Sequence, residues 1–372
     1  MNATPPVHPD PLTESASVPT SGARAVEPFA LDGMHLLAVP QLAYDVPGTP
    51  ADMNGGDSDT ELLLLRDHRD GKGYRRWRSL NAPGGEDAEF FRVGDRAFLA
   101  VASIRTGSRT GAYDFTTYSR VYEWTGGSFE VFQEFEGFAA KQWTHFTVGT
   151  RHFLALAQGV AVPGHEDENR PSRIYAWDGT RFAPFQDIDS RWAYNWHAFE
   201  VDGRHFLAHA DHVQPSLLYR WNGRSFTPHQ ELTGFGGRAF AHFTADGGTY
   251  LLVARLPGDS ALLRWDGERF AAHQTLHGPG GREFAVARGE RGLYVIRVNF
   301  VRGTPADPTT ALDSQVYHWR RGRLEVVQEF PTTGATDAAV LRDRDGPLVA
   351  VSQGLTADVR FAARTVFYRF HG

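Results

Sequence analysis

The chain of 372 residues contains no cysteine, which excludes disulfides and thiolate metal sites and suits a reducing compartment. It has no window approaching the roughly 20 consecutive apolar residues that span a bilayer as a helix. Its first residues, Met1-Asn2-Ala3-Thr4-Pro5-Pro6, lack the basic start and apolar stretch of a secretory signal, so the cytoplasm is the expected location. An excess of one charge is missing too: 38 Lys and Arg face 44 Asp and Glu, a net charge of -6, with both signs interspersed. Neither a nucleic acid nor a membrane surface is an expected partner of such a chain. Also absent are a Gly-x-Ser-x-Gly elbow, a phosphate loop and a dinucleotide glycine motif in a strand-turn-helix setting, so redox and phosphoryl-transfer chemistry, and any cofactor, are not expected.

What is present is aromatic and repetitive. Aromatic residues make up 13% of the chain, and five of the nine tryptophans, Trp124, Trp177, Trp221, Trp265 and Trp319, recur at spacings of 53, 44, 44 and 54 residues. Each closes a strand-like run such as Val121-Tyr122-Glu123-Trp124 and is followed by a turn glycine, an aromatic or leucine, and a glutamine: Gln133, Gln186, Gln230, Gln274 and Gln328. A period in this range built from short strands is the mark of propeller blades. Length alone would allow two domains; the repeat argues for one.

Residues 146 to 185 show a whole unit, with strands at Phe146-Thr147-Val148, Phe153 to Ala157, Arg173 to Trp177 and Phe182 to Ile188. Asp178-Gly179, Asn222-Gly223 and Asp266-Gly267 stand where a hairpin turn needs positive φ. Naming the four strands a to d, strand a is expected near Phe29, Phe91, Phe146, Phe199, Phe243, Ala287 and Leu341, which makes seven blades. The final unit reaches a turn at 371 to 372 without a strand d. Ser17 to Ala23 resembles Glu329 to Ala335, the join between blades six and seven, so residues 12 to 20 are expected to supply the missing strand and close the ring. Residues 1 to 11 are expected to be a loose tail, and residues 12 to 372 one all-β, seven-bladed propeller of four-stranded antiparallel blades.

The Phe-Leu-Ala-Val-Ala strand at 98 to 102, Val-Tyr-Glu-Trp at 121 to 124 and Phe-x-x-Phe-Gln at 129 to 133 resemble the EPTP repeat, also called the epitempin or EAR repeat, of the leucine-rich glioma-inactivated proteins. The resemblance implies a protein-binding propeller. This chain lacks the leucine-rich domain and cysteines that accompany the propeller there, and blades one and seven depart most from the pattern.

Recurring positions point to scaffold: the tryptophans to packing between blades, the glutamines to interblade hydrogen bonds. Function is sought where the repeats disagree. The b-to-c connections around 41 to 60, 104 to 118, 160 to 171, 300 to 313 and 354 to 363 are long, which marks their face as the working face. Residues preceding the Phe of strand a are expected to line a funnel there: Lys141, Gln142, Trp143 and His145; Tyr194, Asn195, Trp196 and His197; Arg238, Phe240 and His242; Arg282 and Glu283. Opposite stand Glu27, Asp87, Glu89 and Asp337. Strand b exits toward the same face with Gln158, Asp211, Arg255 and Asn299. Because strand residues alternate in direction, about half of these are expected to turn between blades instead.

These residues support recognition of a small organic molecule, with or without cofactor-independent acid/base chemistry such as cyclisation, isomerisation or elimination. In the catalytic version His145, His197, His242 or Asp87 moves the proton, Trp143, Trp196 and Phe240 shape an apolar or aromatic substrate, and the cations stabilise developing negative charge. The alternative is a protein-interaction scaffold using the long loops. A metal is not expected: His209, Asp211 and His212 form no compact ligand motif, and the acidic runs at 45 to 59 and 166 to 168 lack calcium-loop spacing.

Overall fold

The computed structural model describes residues 10–68, 73–161, 164 and 166–372; the expected tail falls outside them except at residues 10 and 11. Seven four-stranded antiparallel sheets form the blades. Blade three shows the plan, with strands Gln142–Val148, Arg151–Ala157, Ser172–Trp177 and Phe182–Ile188 in order from the axis outward. The seven inner strands are Glu27–Leu31, Gly85–Val93, Gln142–Val148, Ala193–Val201, Gly237–Ala245, Gly281–Gly289 and Ala335–Asp343, one at each start read from the repeat. The outer strand of blade seven is Leu12–Ser21, paired antiparallel with Ala362–Phe370 from Leu12↔Phe370 to Ser21↔Ala362, so the amino-terminal strand closes the ring.

No single core holds this ring. Buried apolar side chains fall into seven clusters, each drawn from two neighbouring blades, because strands with apolar residues on both faces must be covered on both. Five seams are also stitched at the outer wall. Gln133 donates to the Phe182 carbonyl and accepts from its N–H at 2.8 and 3.1 Å. Gln186 does the same with Phe226, Gln230 with Phe270, Gln274 with Leu324 and Gln328 with Leu12. The last pair carries the pattern onto the closing strand. Blade one, whose outer strand is Tyr74–Asn81, has Arg78 at this position and the closing strand has Ala16, so the two seams flanking blade one lack the glutamine.

The tryptophans pack across seams by two routes. Trp124, Trp265 and Trp319 donate their indole N–H to Asp32, Asp202 and Asp246 at 2.6 to 2.8 Å, acidic residues held at φ of about 50° in the a–b turn of the preceding blade, a conformation Asp tolerates. Trp177 and Trp221 face turns that begin with Gly94 and Gly149, and an arginine at the start of strand b, Arg96 or Arg151, covers them at 5.3 to 5.4 Å.

Candidate functional site

Every inner strand begins in the same way. A residue in the left-handed region in six blades, glycine in five (Gly22, Gly84, Gly236, Gly280, Gly334) and Ala139 in blade three, or Trp192 in blade four, is followed by a small residue and then by one side chain directed to the axis. Glycine is required at such a point: a Cβ on Gly84 would lie 1.9 Å from the Arg105 carbonyl oxygen. In five blades the third residue is a β-bulge, left unpaired between Gly85 and Asp87, Ala193 and Asn195, Gly237 and Ala239, Gly281 and Glu283, and Ala335 and Asp337. A bulge re-aims the extra side chain. The seven residues so placed are Arg24, Glu86, Lys141, Tyr194, Arg238, Arg282 and Thr336.

Four cations and one carboxylate therefore meet in this layer. Glu86 lies 3.7 Å from Arg24 and 3.5 Å from Lys141, and both of these side chains are buried with it. Arg238, 5% exposed, has no carboxylate within 4 Å among the described residues; its guanidinium rests 3.7 Å from the centre of the Tyr194 ring, with Lys141 and Arg282 at 5.1 and 5.3 Å from the same ring. The Arg238 Nη1 and Arg24 Nε are buried without a hydrogen bond. Burial draws Arg238 down to about 10, and lowers Lys141 and Arg24 against the pull of Glu86. Burial pushes Glu86 and the Tyr194 phenol up, but the surrounding cations hold both below their ordinary values.

Carboxylates occupy the next turns of the same strands. Asp87, Glu283 and Asp337 come one residue along, and Glu27 and Glu89 two residues further, all lining a cavity of about 400 Å³ together with Arg24, Glu86, Lys141, Tyr194 and Arg282. Burial raises Asp337 to about 6, Asp87 to about 7 and Glu89 to about 8, and lifts Glu27 and Glu283 well above the carboxylate range, with neighbouring carboxylates adding to the rise. Four of them also join adjacent inner strands, which lie too far apart to pair directly. Asp87 accepts from the Trp143 N–H, Glu89 from His145, Asp337 from Val26 and Glu27 from Phe90, at 2.8 to 3.0 Å. Gln142 bridges to Trp196 in the same manner, its carbonyl accepting from the Trp196 N–H at 2.6 Å.

The long-loop end of the cavity is shut. Leu42, Ile104, Val160, Leu256, Phe300 and Leu355, each just past strand b in six different blades, belong to one buried or half-buried apolar cluster, a meeting that only an axial position permits. None of them lines the cavity. The N–H groups of Leu42, Ile104, Leu256 and Phe300 donate to the carbonyls of Gly22, Gly84, Gly236 and Gly280, and Arg24 lies 5.4 Å from the Phe300 ring centre, which sets the cation layer directly beneath this cap. In the opposite direction exposure rises, from buried Lys141 through half-buried His145 to exposed Thr147. The channel thus opens on the face of the a–b hairpins, and the cations expected at an open funnel mouth sit at its closed end.

Of the aromatic candidates, Trp196 and Phe240 reach the cavity wall and Trp143 does not. Trp143, Trp196 and Phe240 turn between blades, at most 4% exposed, inside three seam clusters, because they occupy the strand parity opposite to the carboxylates. Asn195 is buried beside the layer. His145 bonds to His152 at 3.0 Å and stacks on Phe91, and His197 bonds to His242 at 2.8 Å across a seam. Burial beside another histidine lowers His145 and His197 to about 3, and burial lowers His242, so all three are neutral near pH 7. His209 meets the Ser172 hydroxyl at 3.1 Å. The residues at the end of strand b point away from the axis. Gln158 accepts from the Phe138 N–H, Asp211 from the N–H groups of Arg191, Trp192, Val213 and Gln214, Arg255 donates to the Phe235 carbonyl and Asn299 to that of Asp313. The acidic loop residues are likewise engaged: Asp57 with Arg105, Asp52 with Arg109, and Asp45 with the N–H groups of Phe361 and Ala362.

Arg24, Glu86 and Thr336 are channel residues that the strand pattern alone did not single out. Their signal is the glycine–small–x start: Gly22-Ala23-Arg24, Gly84-Gly85-Glu86 and Gly334-Ala335-Thr336.

The repeat is matched in known proteins. The EPTP domain matches residues 128–178, 181–222 and 225–266. Each match begins at an outer strand and ends at strand c of the next blade, so the sequence unit straddles a seam. The thrombospondin-type laminin G domain and EAR repeat-containing proteins of Homo sapiens and Mus musculus are each 41% identical over 92 residues. That stretch is 24% of this chain and 13% of each relative.

Proposed function

We propose that this seven-bladed propeller, three stretches of which match the EPTP domain, is a recognition scaffold whose channel holds the anionic group of a small organic molecule. The supporting observation is the imbalance at the closed end: Arg24, Lys141, Arg238 and Arg282 against Glu86 alone. Buried charges without a partner are costly, and an anion seated beside Tyr194 removes that cost. Such a site also fits the general form of small-molecule pockets, a cavity of several hundred Å³ with a few convergent polar groups. The reading is recognition, since the channel histidines are paired with other histidines and stay neutral.

Native mass spectrometry of the purified protein, together with thermal melting in sulfate, phosphate and a panel of small carboxylates, tests it. An anion at a hundred times its Kd is expected to stabilise the fold by about 2.7 kcal/mol, and Arg282→Gln, which removes a cation lining the cavity, to abolish most of that gain. Retention of no anion, with melting unmoved across the panel, overturns the reading.

A second reading, a protein-interaction scaffold, is favoured by Phe235 and Val213, which are 59% and 43% exposed on connections of the long-loop face at blades four and five. Its test is Phe235→Ser, expected to weaken capture of a protein partner while leaving anion protection intact.

A further inference from the structure

The two layers of the channel present basic groups and carboxyl groups respectively, offset along the same strands. The cation layer stands at the closed end. The carboxylates lie one residue further (Asp87, Glu283, Asp337) and three residues further (Glu27, Glu89), which is roughly 3 to 10 Å along a strand. Glu27 and Glu89 each spend one oxygen, Oε1, on a neighbouring backbone N–H, and the second oxygen of each has no hydrogen bond to the described residues. Glu283 makes only a 3.3 Å contact with the N–H of the next residue, Phe284. No Lys or Arg nitrogen lies within 4 Å of any of these five carboxylates among the described residues. Above them Arg238, 5% exposed, leaves Nη1 unpartnered while it covers the Tyr194 ring that lines the cavity.

A plain anion would answer the upper layer and leave the carboxyl groups of the lower one facing no cation. A plain cation would do the reverse, and an apolar molecule would answer neither. A cavity of about 400 Å³ is at the small end of the range for ligand sites, which favours one compact molecule carrying both groups.

We infer that the channel takes an amino-carboxylate, a free amino acid or a short peptide, with its carboxylate against Arg24, Lys141 and Arg282 and its ammonium group against Glu27, Glu89 and Asp87. This rests on the anion reading above and names its ligand class. The offset of the layers spans the charge separations of α-amino acids, dipeptides and tripeptides. The ligand enters from the hairpin face, carboxylate first.

The test is calorimetry and thermal melting with the twenty amino acids and a set of glycine-containing di- and tripeptides, each compared with its desamino acid and its carboxamide. At least one amino-carboxylate is expected to bind, its desamino acid about tenfold more weakly. Glu89→Gln and Asp87→Asn, each checked for an unchanged circular dichroism spectrum, are expected to weaken the parent about tenfold and to leave the desamino acid unaffected. If the desamino acid binds as tightly as its parent, or if only sulfate, phosphate or simple carboxylates protect the protein, the dipolar inference falls and the anion reading stands. If the carboxamide binds as tightly as the parent, the anion reading falls with it. If no compound in either panel binds, both fall.

Discussion

The outer wall and the channel of this ring are made from the same repeat, yet they have been held to different standards. At the outer wall one pair of hydrogen bonds is made five times with the same residue type, from Gln133 to Gln328. Along the axis, no two blades present the same set of side chains. The two systems overlap only in part. The seams on either side of blade one, which lack the glutamine, are joined from within by Asp337 to Val26 and Glu27 to Phe90, while the seam between blades two and three has both kinds of link. Carboxylates that line the cavity thus also hold the ring together where its outer stitching is missing. Closure and recognition therefore share residues on one side of the channel and are separate on the other.

The largest expected effect comes from breaking the channel's charge balance. Glu86→Gln removes the only carboxylate paired with Arg24 and Lys141 and is expected to cost about 3–5 kcal/mol in denaturant unfolding, with saturating anion returning part of it. Next, alanine at Gln186, Gln230 or Gln274 is expected to cost about 1–3 kcal/mol each, by loss of two hydrogen bonds at a seam, and the three values to agree closely because the sites repeat. Unequal values would show that the outer wall is less uniform than its geometry.

The carboxylate layer sets the pH dependence. Asp87, Glu89 and Asp337 have folded pKa values raised to about 7, 8 and 6, so the folded state binds more protons than the unfolded chain from about pH 4 upward. Stability from these groups is greatest in acid and is lost as pH rises toward 8. Neutral buried histidines such as His145 and His197, lowered to about 3, act in the opposite sense, but only below about 6.5. Between pH 6.5 and 8 the carboxylates act alone, and unfolding free energy is expected to fall by about 2–3 kcal/mol through Asp87, Glu89 and Asp337. The double variant Asp87→Asn with Glu89→Gln should flatten that slope. The smallest contrast is among the tryptophans: phenylalanine at 124, 265 or 319 loses an indole hydrogen bond and is expected to cost about 1 kcal/mol more than at 177 or 221, read by thermal melting.

Much of the scaffold was legible in the sequence because it repeats. The Tyr-x-Trp strands, their turns and the glutamines recur at fixed offsets, and each position does one job in every blade. The closing strand was legible because Ser17 to Ala23 matches an internal join. The channel was legible only in part. Lys141, Tyr194 and Arg282 line it, but Trp143, Trp196 and Phe240 face the seams, since one bulged residue at the start of strand a shifts the parity of the residues after it. Arg24 and Glu86 carry only the glycine–small–x start as a signal, because they lie before the conspicuous phenylalanines, where a strand pattern read from the core outward has already ended. The apolar cap was hidden for another reason: its members come one or two from each blade and become a cluster only in the closed ring.

The strand pairing from Leu12↔Phe370 to Ser21↔Ala362 has a consequence for biosynthesis. The closing strand leaves the ribosome 341 to 358 residues before the partner it pairs with. Throughout synthesis the early strand has no edge to join, and blade six cannot complete its Gln328 clamp on Leu12. Folding of the full ring must therefore wait for residues 362–370, which makes ring closure a late, long-range event of the kind that slows folding. The nascent chain must keep this strand from pairing elsewhere until residues 362–370 have been made.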